Sequence, residues 1–369
     1  MFKRIYLFFF TYMAAACYSS ALLIFWLSKN GFGFSDLIIY YMLTFFVALI
    51  GLLYLPKRTM SSRKVIFWGV IFNLCYVLVL VKIFSPIQLY ISAIISGLNI
   101  IFFWTTYNAM HFKYSSKEKR GLNSGMFFLV APIIGVTLQP LAGVMAEKFG
   151  FYIMFCVGLS MYLIPLFLIK YLPDFQFNLD VKKELRELKF NWTLFFGGIS
   201  ARINGTLIGI FTLFFITTPL IFGSFFGYLS LITVIASVVN GYISDKIKSR
   251  KYFFYIFSIL AVISFIPLAF VTNPYYWGLF AGITNLCFYL ASPFWLTFSL
   301  DCYKEAGEEK TMILREVYLN FGYVFCMIIA FLVFYFTQST KISLVVVSLL
   351  CCLLPIASYL QGVYIDKKI

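Results

Sequence analysis

Charged side chains are scarce in this sequence. Asp, Glu, Lys and Arg make up 12% of its 369 residues, against about a quarter in soluble globular proteins. So few polar groups cannot coat a water-soluble fold of this length, which leaves lipid to cover most of the surface. Histidine occurs once, as His111. P-loops, metal-ligand clusters and paired catalytic carboxylates are all lacking, so no enzyme, no metal or cofactor site and no direct ATP-driven pumping is expected of this chain. Acidic residues number 14 against 29 basic ones, yet the basic residues fall in short runs between apolar stretches. That is how membrane-protein loops look, and it argues against a nucleic-acid-binding face. The eight cysteines lie in or beside apolar segments, without the spacing of zinc sites or extracellular disulfides, and read as small packing residues.

What the chain has in quantity is apolar length, with 62% hydrophobic residues. Crossing about 30 Å of hydrocarbon at about 1.5 Å per residue takes about twenty residues. Twelve runs of that order occur, at 5–28, 34–55, 64–83, 87–110, 123–146, 150–171, 191–217, 219–243, 252–272, 276–301, 312–337 and 341–364. The first opens with Lys3 and Arg4 like a signal peptide, but it has no clear small-x-small cleavage site and reads as a retained helix.

With the N-terminus in the cytoplasm, 24 Lys and Arg fall on the inner side and four (Lys29, Lys82, Lys148, Lys341) on the outer side. A bias of this size in short loops places both termini in the cytoplasm and leaves Arg202 as the one basic residue away from the ends of a span. The longest connection, 172–190, is charged and is expected to form a short amphipathic helix on the membrane surface. It separates residues 1–171, an N-terminal six-helix half, from 191–369, a C-terminal one. Shifting the first half by 185 residues brings the span starts into line and sets SGLNIIFFW (96–104) against AGITNLCFY (281–289). Repeats of this kind are common in transporters, whose site lies at the repeat interface near the bilayer midplane.

Two segments carry a family resemblance. GYISDKIKSRK (241–251) resembles the loop signature of the major facilitator superfamily, through Gly241, Asp245, Lys246, Arg250 and Lys251. The equivalent loop of the first half, YLPKRTMSSRK (54–64), keeps a basic pair but has Arg58 near where an acidic residue is expected. Residues 116–150 are similar to the family's fifth-helix region, with Arg120-Gly121, Gly125, Pro132, Gly135, Pro140, Gly143 and Gly150. The resemblance implies an all-α polytopic membrane protein with twelve helices in two six-helix halves. It also implies a secondary transporter or facilitator of a small solute, working by rocking the halves around a central site. Such a protein is expected to be a monomer in the cell membrane, with the bilayer and a small-molecule substrate as partners. Asp245 is expected to latch onto the start of helix 5 near Arg120 when the cytoplasmic side closes.

In the family this resembles, helices 1, 4, 7 and 10 line the cavity. On helix 7, Gly198, Arg202, Gly205, Thr206 and Gly209 share an arc of about 100°, and a mid-span arginine costs at least about 2.5–3.5 kcal/mol on insertion scales. It therefore faces water, a partner or a ligand, the plain alternative being a structural pairing with carbonyls or a distant Glu. The small residues are expected to leave room beside it for an anionic organic solute. Helix 4 offers Trp104, Tyr107, Asn108 and His111, and helix 10 offers Asn285, Tyr289, Ser292, Trp295 and Ser299. These two polar-aromatic stripes read as cavity lining or, near helix ends as for His111 and Trp295, as interfacial residues. Glu316, with Asn320 and Tyr323 on one face of helix 11, is either a coupling carboxylate or a first-turn residue favouring the helix N-terminus. Rival functions on the same fold are a membrane sensor or binding protein, and a lipid or amphiphile flippase.

Overall fold

The structure, a computed structural model, describes residues 2–54, 59–114, 120–178, 181, 184–185, 190–246, 250–301 and 308–366. Side chains are not described at 2, 112, 120–126, 128, 177, 241–254, 293–301, 308–309 and 362–366. Twelve helices of membrane-spanning order follow one another among the described residues. α1 is Phe2–Ser20 continued by Leu23–Lys29, α2 is Phe34–Tyr54 and α3 is Ser62–Val81. α4 runs from Pro86–Asn99 through a π-helical stretch, Ile100–Thr105, into Thr106–Tyr114, and α5 is Arg120–Phe149. α6 comprises Phe151–Met161, Leu163–Leu168 and Ile169–Tyr171. α7 comprises Trp192–Arg202, a second π-helical stretch Ile203–Leu207, and Ile208–Thr212. α8 is Pro219–Lys246, α9 Arg250–Leu268, α10 Pro274–Asp301 and α11 Glu308–Thr337, and α12 joins Thr340–Cys351 to Leu353–Asp366.

Ten of these are long and apolar enough to cross a membrane among the described residues, and α9 adds the shorter apolar run Tyr255–Leu268. Helices are the solution lipid demands, because each satisfies its own backbone hydrogen bonds. Their starts are written locally. Ser85 and Gln88 form a reciprocal capping box ahead of α4 with Pro86 at the first position, and Asn191 and Ser339 cap α7 and α12. Gly150, at φ 87°, makes the tight corner between α5 and α6 that an L side chain would strain.

Among the described residues, α5 packs with α8 and α2 with α11 across the halves, and α11 also meets α4. Small residues let α5 and α8 touch, since a side chain at Gly143 would come within 2.8 Å of the Pro219 carbonyl oxygen. Beside that contact Glu147 accepts from the Leu220 N–H at 3.0 Å, closing the end of α8. α2 meets α11 at the same side through Phe34 and Phe334, 4.8 Å apart. The connection at 172–190 departs from expectation only in part, since 184–185 are helical and the Leu185 N–H donates to the Val181 carbonyl at 2.9 Å. Gln176–Phe177 is not helical but pairs as a two-residue antiparallel strand with Met60–Ser61, before α3. Of its remainder, 179–180, 182–183 and 186–189 lie outside the described residues.

Candidate functional site

Arg202 ends the regular part of α7, just before its π-helical stretch. A π turn adds a residue to the helical circuit, so the side chains on either side of it no longer share the phase of an α-helix, and such bulges recur at functional sites. The guanidinium carbon lies 4.1 Å from the ring centre of Tyr323 on α11 and 4.8 Å from that of Phe45 on α2. Arg202 therefore touches both halves. Tyr41 on α2 and Tyr289 on α10 lie within its electrostatic reach. Its Nε–H is buried without a hydrogen-bond partner. No carboxylate pairs with it among the described residues, where the ion pairs are Lys310 with Glu184 and Arg315 with Glu316. Each desolvated cation–π contact is worth up to about 2 kcal/mol, so two of them roughly offset an insertion cost of about 3 kcal/mol. The charge is tolerated but not neutralised.

The small residues beside Arg202 do different work. A methyl at Gly198 would approach the Leu319 carbonyl oxygen to 2.6 Å, and one at Gly209 would meet Ile24 at 2.9 Å, so both are sites of close helix packing. At Gly205 nothing lies within 4 Å of an added Cβ. The expectation that all three leave room is corrected: only Gly205 opens onto space.

The helix 4 stripe separates. Tyr107 is fully buried, stacked on Phe9 of α1 at 4.4 Å and near Phe127 of α5 at 6.1 Å. Trp104 is half-buried with its ring edge-on to Phe9 and Phe103. His111 lies in the last turn of α4, which ends at Tyr114, but its imidazole is buried against Tyr6 at 5.6 Å and Phe127 at 5.0 Å and does not sit exposed at the membrane interface. These rings pack into the first half's own core, because stacked aromatic surface gains more from burial than from lining a wet cavity. Asn108 alone reaches across, donating to Glu316 Oε1 at 3.2 Å.

Glu316 is not in a first turn, since α11 begins at Glu308. It is 7% exposed and accepts from Arg315 at 2.6 Å as well as from Asn108. Arg315, which the charge count assigned to a loop, thus also lies within a helix. On the same face Asn320 donates to the Glu316 carbonyl at 2.7 Å, and Tyr323 feels Glu316, Arg315 and Arg202 together.

Asn285 is buried and committed within the second half. It donates to the Leu229 carbonyl at 2.7 Å and to Thr233 at 2.8 Å, and it accepts from Asn204 on α7 at 3.0 Å. Tyr289 accepts through its carbonyl from Asn240 at 2.8 Å while its ring stays near Arg202. The latch residues Gly241, Asp245 and Lys246 fall at the end of α8, and Arg250 and Arg120 open α9 and α5. Their side chains, like those of Trp295 and Ser299, lie outside the described residues. Sequence reasoning missed Tyr41, Phe45 and Arg315. Tyr41 and Phe45 stand at i and i+4 on α2, a spacing that shares a face, but nothing in the sequence says which face meets α7.

No curated protein matches the sequence. The Major Facilitator Superfamily pattern matches residues 5–314, which is most of the chain. Twelve helices in this order, joined through α2 with α11 and α5 with α8, agree with that match. The chain belongs to the Major Facilitator Superfamily and is a multi-pass membrane protein of a family of secondary transporters.

Proposed function

We propose that the chain carries a small organic anion across the membrane by alternating access, with Arg202 as the group that binds it. One observation carries this reading: the guanidinium lies against Phe45 and Tyr323, whose neighbouring rings sit on one side of it 5.0 Å apart, and its buried Nε–H has no hydrogen-bond partner. An unsatisfied N–H on a planar, permanently charged guanidinium suits an oxyanion, and its parallel N–H donors match a carboxylate or phosphate. Tyr41 and Tyr289 stand ready as walls for an organic body, which favours an organic over a simple inorganic anion. Of the helix 4 and helix 10 candidates, Asn108 and Tyr289 stay beside this site, whereas Trp104 and Tyr107 pack in the first half's aromatic core and Asn285 in the second half's hydrogen-bond network.

Glu316 is our candidate for proton coupling, because it is a buried carboxylate balanced by Arg315 and touched by α4 through Asn108. The halves 1–171 and 191–369 rock about 172–190, with both termini in the cytoplasm and the chain acting as a monomer in the cell membrane. Asp245 meets the start of α5 near Arg120 when the cytoplasmic side is closed.

Binding-induced stabilisation of the purified protein across a panel of carboxylates, phosphates, neutral solutes and cations identifies a ligand, and vesicle uptake separates a transporter from a sensor. For that ligand, Arg202→Lys and Arg202→Ala each weaken binding tenfold or more, roughly the 1.4 kcal/mol of one charge-assisted contact. A cationic ligand, or unchanged affinity in both variants, would make Arg202 structural.

A further inference from the structure

We infer that Asp174 and Glu184 are positioning residues of the transport cycle, holding the connection between the halves as a clasp across the basic face. The inference rests on the reading that the halves move relative to one another. At the near end, the Asp174 carboxylate accepts from the Ser61 hydroxyl at 2.8 and 2.9 Å, from the Ser62 hydroxyl at 3.2 Å and from the Arg63 backbone N–H at 3.3 Å. Arg63 Nε in turn donates to the Leu172 carbonyl at 2.5 Å. Ser62 N–H donates to the Phe175 carbonyl at 2.9 Å, and the short strands pair alongside.

This carboxylate sits at the N-terminal end of α3, where the positive end of the helix dipole favours it. The loop before α3 has Arg58 where the loop signature would place an acid, and here the acid arrives from the connecting segment instead. At the far end, Glu184 accepts from Lys310, the third residue of α11. Val181, between the two attachments, is itself buried at 1% exposure.

One stretch of chain is thus fastened to α3 of the first half and to α11 of the second, the helix that also carries Glu316 and Tyr323. About ten residues separate the attachments, and extended chain reaches about 3.3–3.6 Å per residue. Chain length therefore does not stop the halves from parting. What must give way is a side-chain attachment, and the Glu184–Lys310 pair, with Lys310 45% exposed, is the weaker one.

The test uses the full-length protein and needs no solute, so its outcome is independent of the reading of Arg202. Two quantities are followed: chymotrypsin cleavage after Leu185 and Leu188, and the distance between spectroscopic labels at positions 54 and 359, near the basic-face ends of α2 and α12. Glu184→Gln and Lys310→Gln are each expected to raise cleavage by up to about fivefold, the effect of one exposed ion pair on a local opening equilibrium, and to add a longer-distance population. Glu184→Lys combined with Lys310→Glu restores both readouts, as a pair acting through its charges requires, and the change in the distance population is what a merely structural role would not produce. Asp174→Asn releases the segment from the other end. If that variant does not fold, the Glu184 and Lys310 variants still decide. Unchanged cleavage and distances in both single variants, or a reversed pair that restores neither, would overturn the clasp.

Discussion

The centre of the first half is aromatic, and that of the second is polar. Phe8, Phe9, Tyr12, Phe103 and Tyr107 stack between α1 and α4, with Tyr12 and Phe103 centred 3.6 Å apart and Phe103 and Tyr107 nearly parallel. The corresponding depth of the second half holds Arg202, Asn204, Asn285, Thr233, Asn320 and Glu316, all but Arg202 buried. Two halves of one repeat plan have thus divided the labour. One is filled mainly by rings, with the buried Asn73 and Asn99 committed to hydrogen bonds with Tyr162, Tyr12 and the Gly69 carbonyl. The other carries the charge, and the first half contributes to it only along its edge, through Tyr41, Phe45 and Asn108.

The sharpest way to break this contrast is to disturb each half through the groups that fill it. Tyr107→Ala removes a fully buried ring from the aromatic stack and is expected to destabilise the protein by about 3–5 kcal/mol, read as a lowered denaturation midpoint in detergent. Affinity per folded molecule for an identified ligand should be unchanged, and a comparable loss of affinity would erase the distinction between the halves. Glu316→Ala leaves Arg315 charged and partly buried without its partner, with an expected cost of about 3 kcal/mol. Here the loss should appear in stability and in the pH dependence of uptake together. If uptake keeps its pH dependence, Glu316 is not the coupling group.

A smaller effect separates the glycines of α7. Gly198→Ala forces a methyl against the Leu319 carbonyl and is expected to cost about 1–3 kcal/mol, while Gly205→Ala enters open space and should stay within about 0.5 kcal/mol. Equal unfolding shifts for the two would mean that the space at Gly205 is not real. The smallest effect lies at the junction before α3. Burial raises the pKa of the Asp174 carboxyl, but hydrogen bonds from Ser61, the Arg63 backbone and Ser62, with the Arg63 charge, outweigh this and hold it below its ordinary value. Its contribution to stability is therefore complete above the ordinary aspartate pKa of about 3.9 and is lost as pH falls through the lower folded value. Cleavage of the connecting segment by an acid-active aspartic protease should rise over that acid window in the wild type, and Asp174→Asn should remove the step.

Much of the architecture was legible before the structure. The twelve runs, the long break after the sixth and the family-like loops all lead to the observed order of helices. The site was legible only in part. Arg202 stood out because a mid-span charge is rare, but its partners did not, since α2 and α11 carry many aromatic residues and their facing sides depend on how the halves meet. The helix 4 stripe misled for a related reason. Helical spacing correctly placed Trp104, Tyr107 and Asn108 close together in sequence, yet the π-helical stretch and the neighbouring rings of α1 turned the aromatic members inward. Glu316 was misplaced by a helix end, because α11 starts earlier than its apolar run, whereas His111 does lie in the last turn of α4 and only its burial among rings was not legible.

The sequence by itself determined how many times the chain crosses the bilayer, because hydrocarbon thickness sets the length of an apolar run and each helix closes its own backbone hydrogen bonds without help from distant residues. Which side chains share a site was decided only in three dimensions. Arg202 meets Phe45 and Tyr323, Asn108 meets Glu316, and Asp174 meets Ser61 across separations of roughly a hundred residues or more. Such pairings follow from helix crossings and from the phase shift of two π turns, neither of which a local pattern of apolar and polar residues records.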